Sequence, residues 1–294
     1  MKKDKAKLIS AMTIFGTIGL VRKYIPCSSA LVSFVRGFIG ALFLLALRRV
    51  KKEKFDTAAI KKNVVKLLAS GIALGVNWIL LFEAYRYTTI SVATICYYMA
   101  PVFIILTSPF FFRERITLQK GLCSAIAVCG MVFVSGVTQT GVSGLTGVFY
   151  GLGAAVLYAA VVTLNKKMVG LSASDRTILQ LAISAIALLP YVLLTDDISA
   201  LKMDAFSVLM LLVAGVVHTG IAYSLYFGSL RNVPAQTAAL FSYIDPTVAV
   251  LISALVLKEG ITAEAIVGVV MVIGAAMASE IDFKKVKIKE KCGV

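Results

Sequence analysis

Apolar residues in this chain come in runs about as long as a bilayer is thick, each bounded by charged or polar residues. A hydrocarbon core ~30 Å thick takes about 20 helical residues to cross. In the first half the runs are Leu8–Tyr24, Ser28–Leu47, Lys66–Tyr85, Ser91–Phe112 and Gln119–Val137. In the second half they are Leu145–Leu164, Thr177–Leu194, Phe206–Ser229, Ala235–Leu257 and Ala263–Ser279. The pattern predicts an all-α polytopic membrane protein with ten transmembrane helices. The first run has the look of a secretory signal, but Arg22 and Lys23 follow it directly and nine more runs come after. A cleavable signal would end on a small-residue site instead, so the run is read as the first helix.

Composition agrees. Of 294 residues 59% are apolar and 15% charged, where soluble domains carry ~25% charged residues. The net charge of +15 is explained by where the cations sit: with the N-terminus inside, 24 of 30 Lys and Arg residues fall on the cytoplasmic side. The other side receives Arg86, Lys202 and Lys258, beside the acidic "TDDISALKMDAF". This is the positive-inside bias, so both termini should be cytoplasmic and the membrane a plasma or inner membrane. The basic loops then face anionic lipid headgroups; no soluble domain presents them to nucleic acid. Arg22, Lys23 and Arg36 depart from the rule, lying in or near the first two runs at the outer side. The five cysteines, Cys27, Cys96, Cys123, Cys129 and Cys292, show no ligand or pairing spacing, and His218 is the only histidine. Neither a metal nor any other cofactor is called for.

Displaced by 145 positions, the chain matches itself. "GVNWILLFEAYRYTTISVATICYYMAPVFIILTSPFFFRERIT" lies over "GIAYSLYFGSLRNVPAQTAALFSYIDPTVAVLISALVLKEGIT" with 12 identities in 43 ungapped columns. Among them are Arg86 with Arg231, Tyr98 with Tyr243, Pro101 with Pro246 and Glu114 with Glu259. Each half holds five runs, and five is odd, so the second copy must enter the membrane inverted. The expected organisation is a first repeat over 1–137, a linker at 138–144, a second repeat over 145–280 and a basic tail at 281–294. Inverted repeats are the architecture of many alternating-access transporters, with sites near the midplane.

The same residues resemble a known family. The glycine-aromatic "IFGTIG", the Arg of "SFVRGF", the aromatic-x-x-Pro of "YYMAP" and "SYIDP", and the ends "RERIT" and "KEGIT" are similar to those of the EamA family of the drug/metabolite transporter superfamily. The resemblance covers the whole chain as two repeats. It implies a central cavity walled by helices one to four and six to nine, with helices five and ten supporting the wall or packing against a partner, such as a second copy. It implies a mode of action more than a substrate, since that family carries amino acids, metabolites, sugars and drugs.

Ionisable groups inside a membrane helix are costly and usually face the bundle interior. At ~1.5 Å per residue, Asp245 lies roughly 15 Å deep, Asn77 roughly 16 Å and His218 roughly 18 Å. Asp245 and His218, on consecutive helices, can meet either as a structural hydrogen bond or as a protonatable substrate contact. Asn77 can bridge helices or define the pocket. Arg36 and Glu83 form a second candidate pair nearer the outer face, structural or anion-binding. Aromatic candidates for the cavity wall are Trp78, Tyr97, Tyr98, Tyr223 and Tyr243, because a hydroxyl in hydrocarbon needs a partner. Pro101 and Pro246 each remove a backbone hydrogen bond in mid-run, making equivalent kinks in the two repeats. No GxxxxGK[ST] motif is present, so the energy for transport must come from a gradient. The expected function is transport of small polar or amphipathic solutes, by secondary-active or facilitative alternating access. A lipid flippase of the same superfamily and, further off, a membrane-embedded enzyme using His218 and Asp245 are the alternatives.

Overall fold

The computed structural model describes residues 2–88, 90–134, 144–196, 203–256 and 262–279. Helix is the only regular structure among them. Residues 138–143 of the expected linker, Lys202, Lys258, Glu259, Cys292 and the basic tail lie outside the described residues.

The first half folds into α1 (Lys2–Gly16), α2 (Ile18–Arg22), α3 (Ser29–Val50), α4 (Thr57–Tyr87), α5 (Ile90–Tyr97), α6 (Ala100–Phe112) and α7 (Leu118–Val134). The second half gives α8 (Leu145–Lys167), α9 (Ala173–Thr195), α10 (Ala205–Gly215), a π segment (Val216–Ile221), α11 (Ala222–Ser229), α12 (Ala235–Phe241), α13 (Ile244–Leu255) and α14 (Ala263–Ala278). Polar residues at the run boundaries start several of these helices. Ser28 accepts a hydrogen bond from Leu31 N, Asp56 from Ala59 N, Ser172 from Asp175 N and Asp204 from Ser207 N, each satisfying an amide that the helix itself leaves free. Arg113, in the left-handed region at φ 57°, ends α6.

Over their described residues all ten apolar runs are mainly helical, and the chain is a polytopic helical membrane protein. Six helices are long and apolar enough to cross a membrane by length and composition: α3, α4, α5 with α6, α8, α9, and α10 through α11. The shorter α7 and α14 are also apolar. Four runs expected to be continuous are interrupted. The first breaks at Thr17, the fourth at Tyr98–Met99, the ninth at Ser242–Tyr243, and the eighth widens into the π segment. The breaks in the fourth and ninth runs precede Pro101 and Pro246 by two to four residues, so the prolines sit in the first turn of a new helix, where a missing N–H costs nothing. They start helices rather than merely kink them.

Polarity is reversed relative to a soluble fold. Leu68, Phe110, Phe149, Ile186, Leu193 and Val270 are exposed, whereas Ser70, Asn77, Ser108, Gln180, Ser184 and Gln236 are fully buried. The buried polar groups tie helices together: Gln180 Nε2 donates to Ser70 Oγ at 2.5 Å and Gln236 Nε2 to Ser108 Oγ at 2.6 Å. Such bonds each contribute ~0.6–2 kcal/mol in a membrane.

Helix contacts repeat in mirrored pairs. The α4–α8 seam has its counterpart in α1–α11, α4–α9 in α3 with α10 and the π segment, and α5 and α6 on α8 in α1 on α13. The remaining large contacts, α3–α9, α6–α12 and α7–α14, join a helix to its own repeat mate. Side-chain mates meet as well: Trp78 and Tyr223 are 6.3 Å apart edge to face, and the Tyr243 hydroxyl donates to Tyr98 O at 3.1 Å. Two equivalent residues touch only near the axis that relates them, so a pseudo-twofold axis runs through the middle of the bundle.

Close packing at one seam makes a stability prediction. A Cβ on Gly16 would lie 2.5 Å from Asp245 O and 2.6 Å from Val248 Cβ. Gly16→Ala should therefore force α1 from α13 and cost about 1–3 kcal/mol, seen as a fall of several degrees in the unfolding midpoint in detergent. An unchanged midpoint would contradict this packing.

Candidate functional site

A cavity of about 310 Å³ lies on the pseudo-twofold axis. Its wall combines Phe15, Trp78, Tyr97, Tyr158 and Tyr223 with Arg22, Ser29, Ser33, Arg36, Tyr85 and Asp245. Ligand pockets are typically mostly apolar with a few placed polar groups, and this one fits that description. It shares Ser29, Phe82 and Tyr85 with a vestibule of about 470 Å³ that also touches Ser28, Arg86, Tyr191, Thr195 and Asp196. Ser28, Arg86 and Thr195 are exposed, so the cavity opens at the end carrying the α2–α3, α4–α5 and α9–α10 connections.

Of its three charged residues, Arg22, Arg36 and Asp245, the last two form no ion pair with each other. The Arg36 guanidinium lies over the Trp78 ring at 4.7 Å. Its Nε is buried without a hydrogen-bond partner, and it forms no ion pair among the described residues. Asp245, in the first turn of α13, likewise forms no ion pair among the described residues. Asp245 also lines a second cavity of about 40 Å³ with Met12, Tyr97, Tyr98, Pro101, Tyr158 and Ser242. The helix break at Ser242–Tyr243 puts the carboxylate at a helix start, where the backbone dipole favours negative charge. A cation and an anion on one aromatic wall, not paired with each other, can hold a solute that carries complementary polar groups and an apolar body.

Several expected contacts are replaced by others. His218 is buried and its Nε2 lies 2.9 Å from Thr17 Oγ1, at the break between α1 and α2; its bond is to Thr17, not Asp245. Thr17 Oγ1 also lies 2.8 Å from Ile14 O, and His218 Nδ1 lies 3.4 Å from Val213 O, so the imidazole tautomer sets which of the pair donates. Asn77 is fully buried and donates to Ala154 O at 2.5 Å, which makes it an α4–α8 bridge away from the cavity lining. Glu83 is not paired with Arg36: it accepts from Arg86 at 3.0 Å and from the Tyr191 hydroxyl. The Arg36 side chain is held by the indole face instead, which needs no carboxylate. Tyr243 is buried behind Tyr98. Trp78, Tyr97 and Tyr223 do face the cavity, and Pro101 borders the smaller one.

The opposite end is shut. Tyr158 and Tyr226 stack at 6.4 Å, and Tyr226 and Phe227 are fully buried. Beyond them Arg176 donates to Asn165 O at 2.7 Å and to Phe227 O at 3.1 Å, and Lys66 to Lys167 O at 3.0 Å. Arg48 pairs with Asp175 and also donates to Lys54 O, both groups nearly inaccessible. Arg22, noted as a cation on the wrong side, lines the cavity and clamps the carbonyls of Ile25 and Cys27. Tyr158 and Phe15 were not anticipated; a lone hydroxyl in "AAVLYAAVV" was the available signal for Tyr158.

Two matches to the model of the EamA-like transporter family cover residues 6–136 and 145–279. The chain belongs to this family. It is 31% identical over 261 residues to the uncharacterized transporter YxxF of Bacillus subtilis (strain 168), covering 84% of this chain and 79% of that protein. It is 24% identical over 232 residues to protein RarD of Salmonella typhi, covering 78% and 77%. A solved structure superposes with a TM-score of 0.84 at 15% identity, over 95% of this chain and 97% of that one; this likeness is one of fold. The protein is a membrane transporter of the drug/metabolite type.

Proposed function

We propose that the protein carries small metabolites, amino acids or similar polar and amphipathic solutes, across a cell membrane by alternating access, as a secondary-active or facilitative transporter. The observation that carries this reading is the cavity on the pseudo-twofold axis, open at one end and sealed at the other. Two inverted repeats can exchange conformations, so that the sealed end opens as the open end seals. The positive-inside bias supports an open end outside and both termini in the cytoplasm. Arg36 on Trp78 offers an anion contact, Asp245 a cation or proton contact, and the aromatic wall takes the apolar part.

Purified protein in proteoliposomes should show counterflow: labelled solute accumulates transiently against unlabelled solute inside. A panel of amino acids, organic acids, amines and sugars, with and without a pH gradient, would find the solute and its coupling. Conductance without counterflow would contradict alternating access. For the solute so found, Trp78→Ala should raise KM several-fold, because an Arg–aromatic contact is worth ~0.5–2 kcal/mol. An unchanged KM would remove Trp78 from the site.

A further inference from the structure

We infer that Glu114 is a positioning residue of the transport cycle, the latch that holds the sealed end of the bundle shut through α12. This rests on the alternating-access reading.

Helix α12 has seven residues, all of them buried. It lies between Pro234 and the two-residue turn Ser242–Tyr243, which joins it to α13. Its N-cap residue is Pro234, whose side chain has nothing to offer the first amides. That role falls to a residue 121 positions earlier: Glu114 Oε1 accepts from Ala235 N at 2.8 Å and Oε2 from Gln236 N at 3.2 Å. A carboxylate at a helix start gains both charge-assisted hydrogen bonds and dipole energy. Glu114 belongs to the first repeat, just past the end of α6, and α12 belongs to the second. The bond therefore crosses the interface along which the two halves must part if this end is to open.

Two further contacts close the same joint. Lys166, at the end of α8, lies 3.8 Å from Glu114 Oε1 and donates to Val233 O. Gln236 Nε2 donates to Ser108 Oγ in α6. The ends of α6 and α8 and the start of α12 are thus gathered on one carboxylate. At the open end the charged contacts are of another kind: Glu83 with Arg86 lies within a single helix, and Arg22 binds its own following turn. Neither charged pair joins the repeats, although Glu83 also accepts from the Tyr191 hydroxyl of the second repeat.

The test is cysteine accessibility in oriented proteoliposomes, with the five native cysteines replaced. Thr237→Cys reports the sealed end, since Thr237 is a buried residue of α12, and Ser29→Cys reports the cavity mouth. A membrane-impermeant maleimide is applied from each side. Glu114→Gln keeps the shape but removes the charge and one acceptor. It should speed labelling of Thr237→Cys about tenfold, since hydrogen bonds to charged groups are the strong ones, and slow labelling of Ser29→Cys. Lys166→Met should shift both rates the same way by less. The reciprocal change is decisive, because a variant that only loosened the fold would speed both sites together. Both rates rising, or neither changing, would overturn the latch while leaving counterflow as the separate test of transport.

Discussion

Asp245→Asn should abolish transport or reduce it at least tenfold, while the protein still reaches the membrane in normal amount. The carboxylate lines both cavities and has no ion-pair partner among the described residues. No described ion pair depends on its charge, so losing it should cost the fold little. An ionised group that deep is expensive unless it serves a pathway. Its repeat mate is Ala100, which borders the smaller cavity from the other half. One negative charge thus sits near an axis where symmetry alone would place two or none. Uptake kinetics as a function of pH, with surface expression as control, check this. Normal kinetics with a normal pH profile would remove Asp245 from the mechanism.

The largest stability effect is expected at Arg48. Its guanidinium is paired with Asp175, lies 4.1 Å over the Phe55 ring, and is 5% exposed against 2% for Asp175. Removing one partner of such a pair strands a buried charge, at about 3–5 kcal/mol. Arg48→Met should therefore lower the unfolding midpoint sharply or prevent accumulation of the folded protein. Replacing both groups, Arg48→Met with Asp175→Leu, should recover most of the loss, since a buried ion pair is often no more stable than a packed apolar pair. Thermal unfolding of the two variants in one detergent separates the outcomes. A double variant as unstable as the single one would show that the site needs its charges for another reason.

These two residues also show where sequence reading reaches and where it stops. Asp245 is conspicuous because an acid in a 20-residue apolar run violates the composition of its surroundings, whatever the fold. Arg48 and Asp175 look like ordinary loop charges at run ends, and only the approach of α3 to α9 makes them partners. Arg36 with Trp78 and His218 with Thr17 were hidden for the same reason: burial flags an ionisable group but does not choose among neighbours distant in the chain. The ten helices and the two repeats were legible, because both follow from run length and a fixed offset. The helix breaks were half-legible. Pro101 and Pro246 mark their places, but whether a proline bends a helix or begins a new one depends on what satisfies the backbone just before it. Glu114 was visible only as an identity shared with Glu259, and its role emerged once Pro234 was seen to leave α12 uncapped.

The account rests on one bundle that opens at one end as it closes at the other. Spin-label pairs on exposed positions measure this directly: Tyr24 with Tyr87 at the open end, and Ile116 with Arg231 at the sealed end, in lipid nanodiscs. Distance distributions should contain two populations, and Glu114→Gln should shorten the first pair while lengthening the second. A single unchanging distance at both ends, or changes of the same sign, would contradict alternating access in this protein.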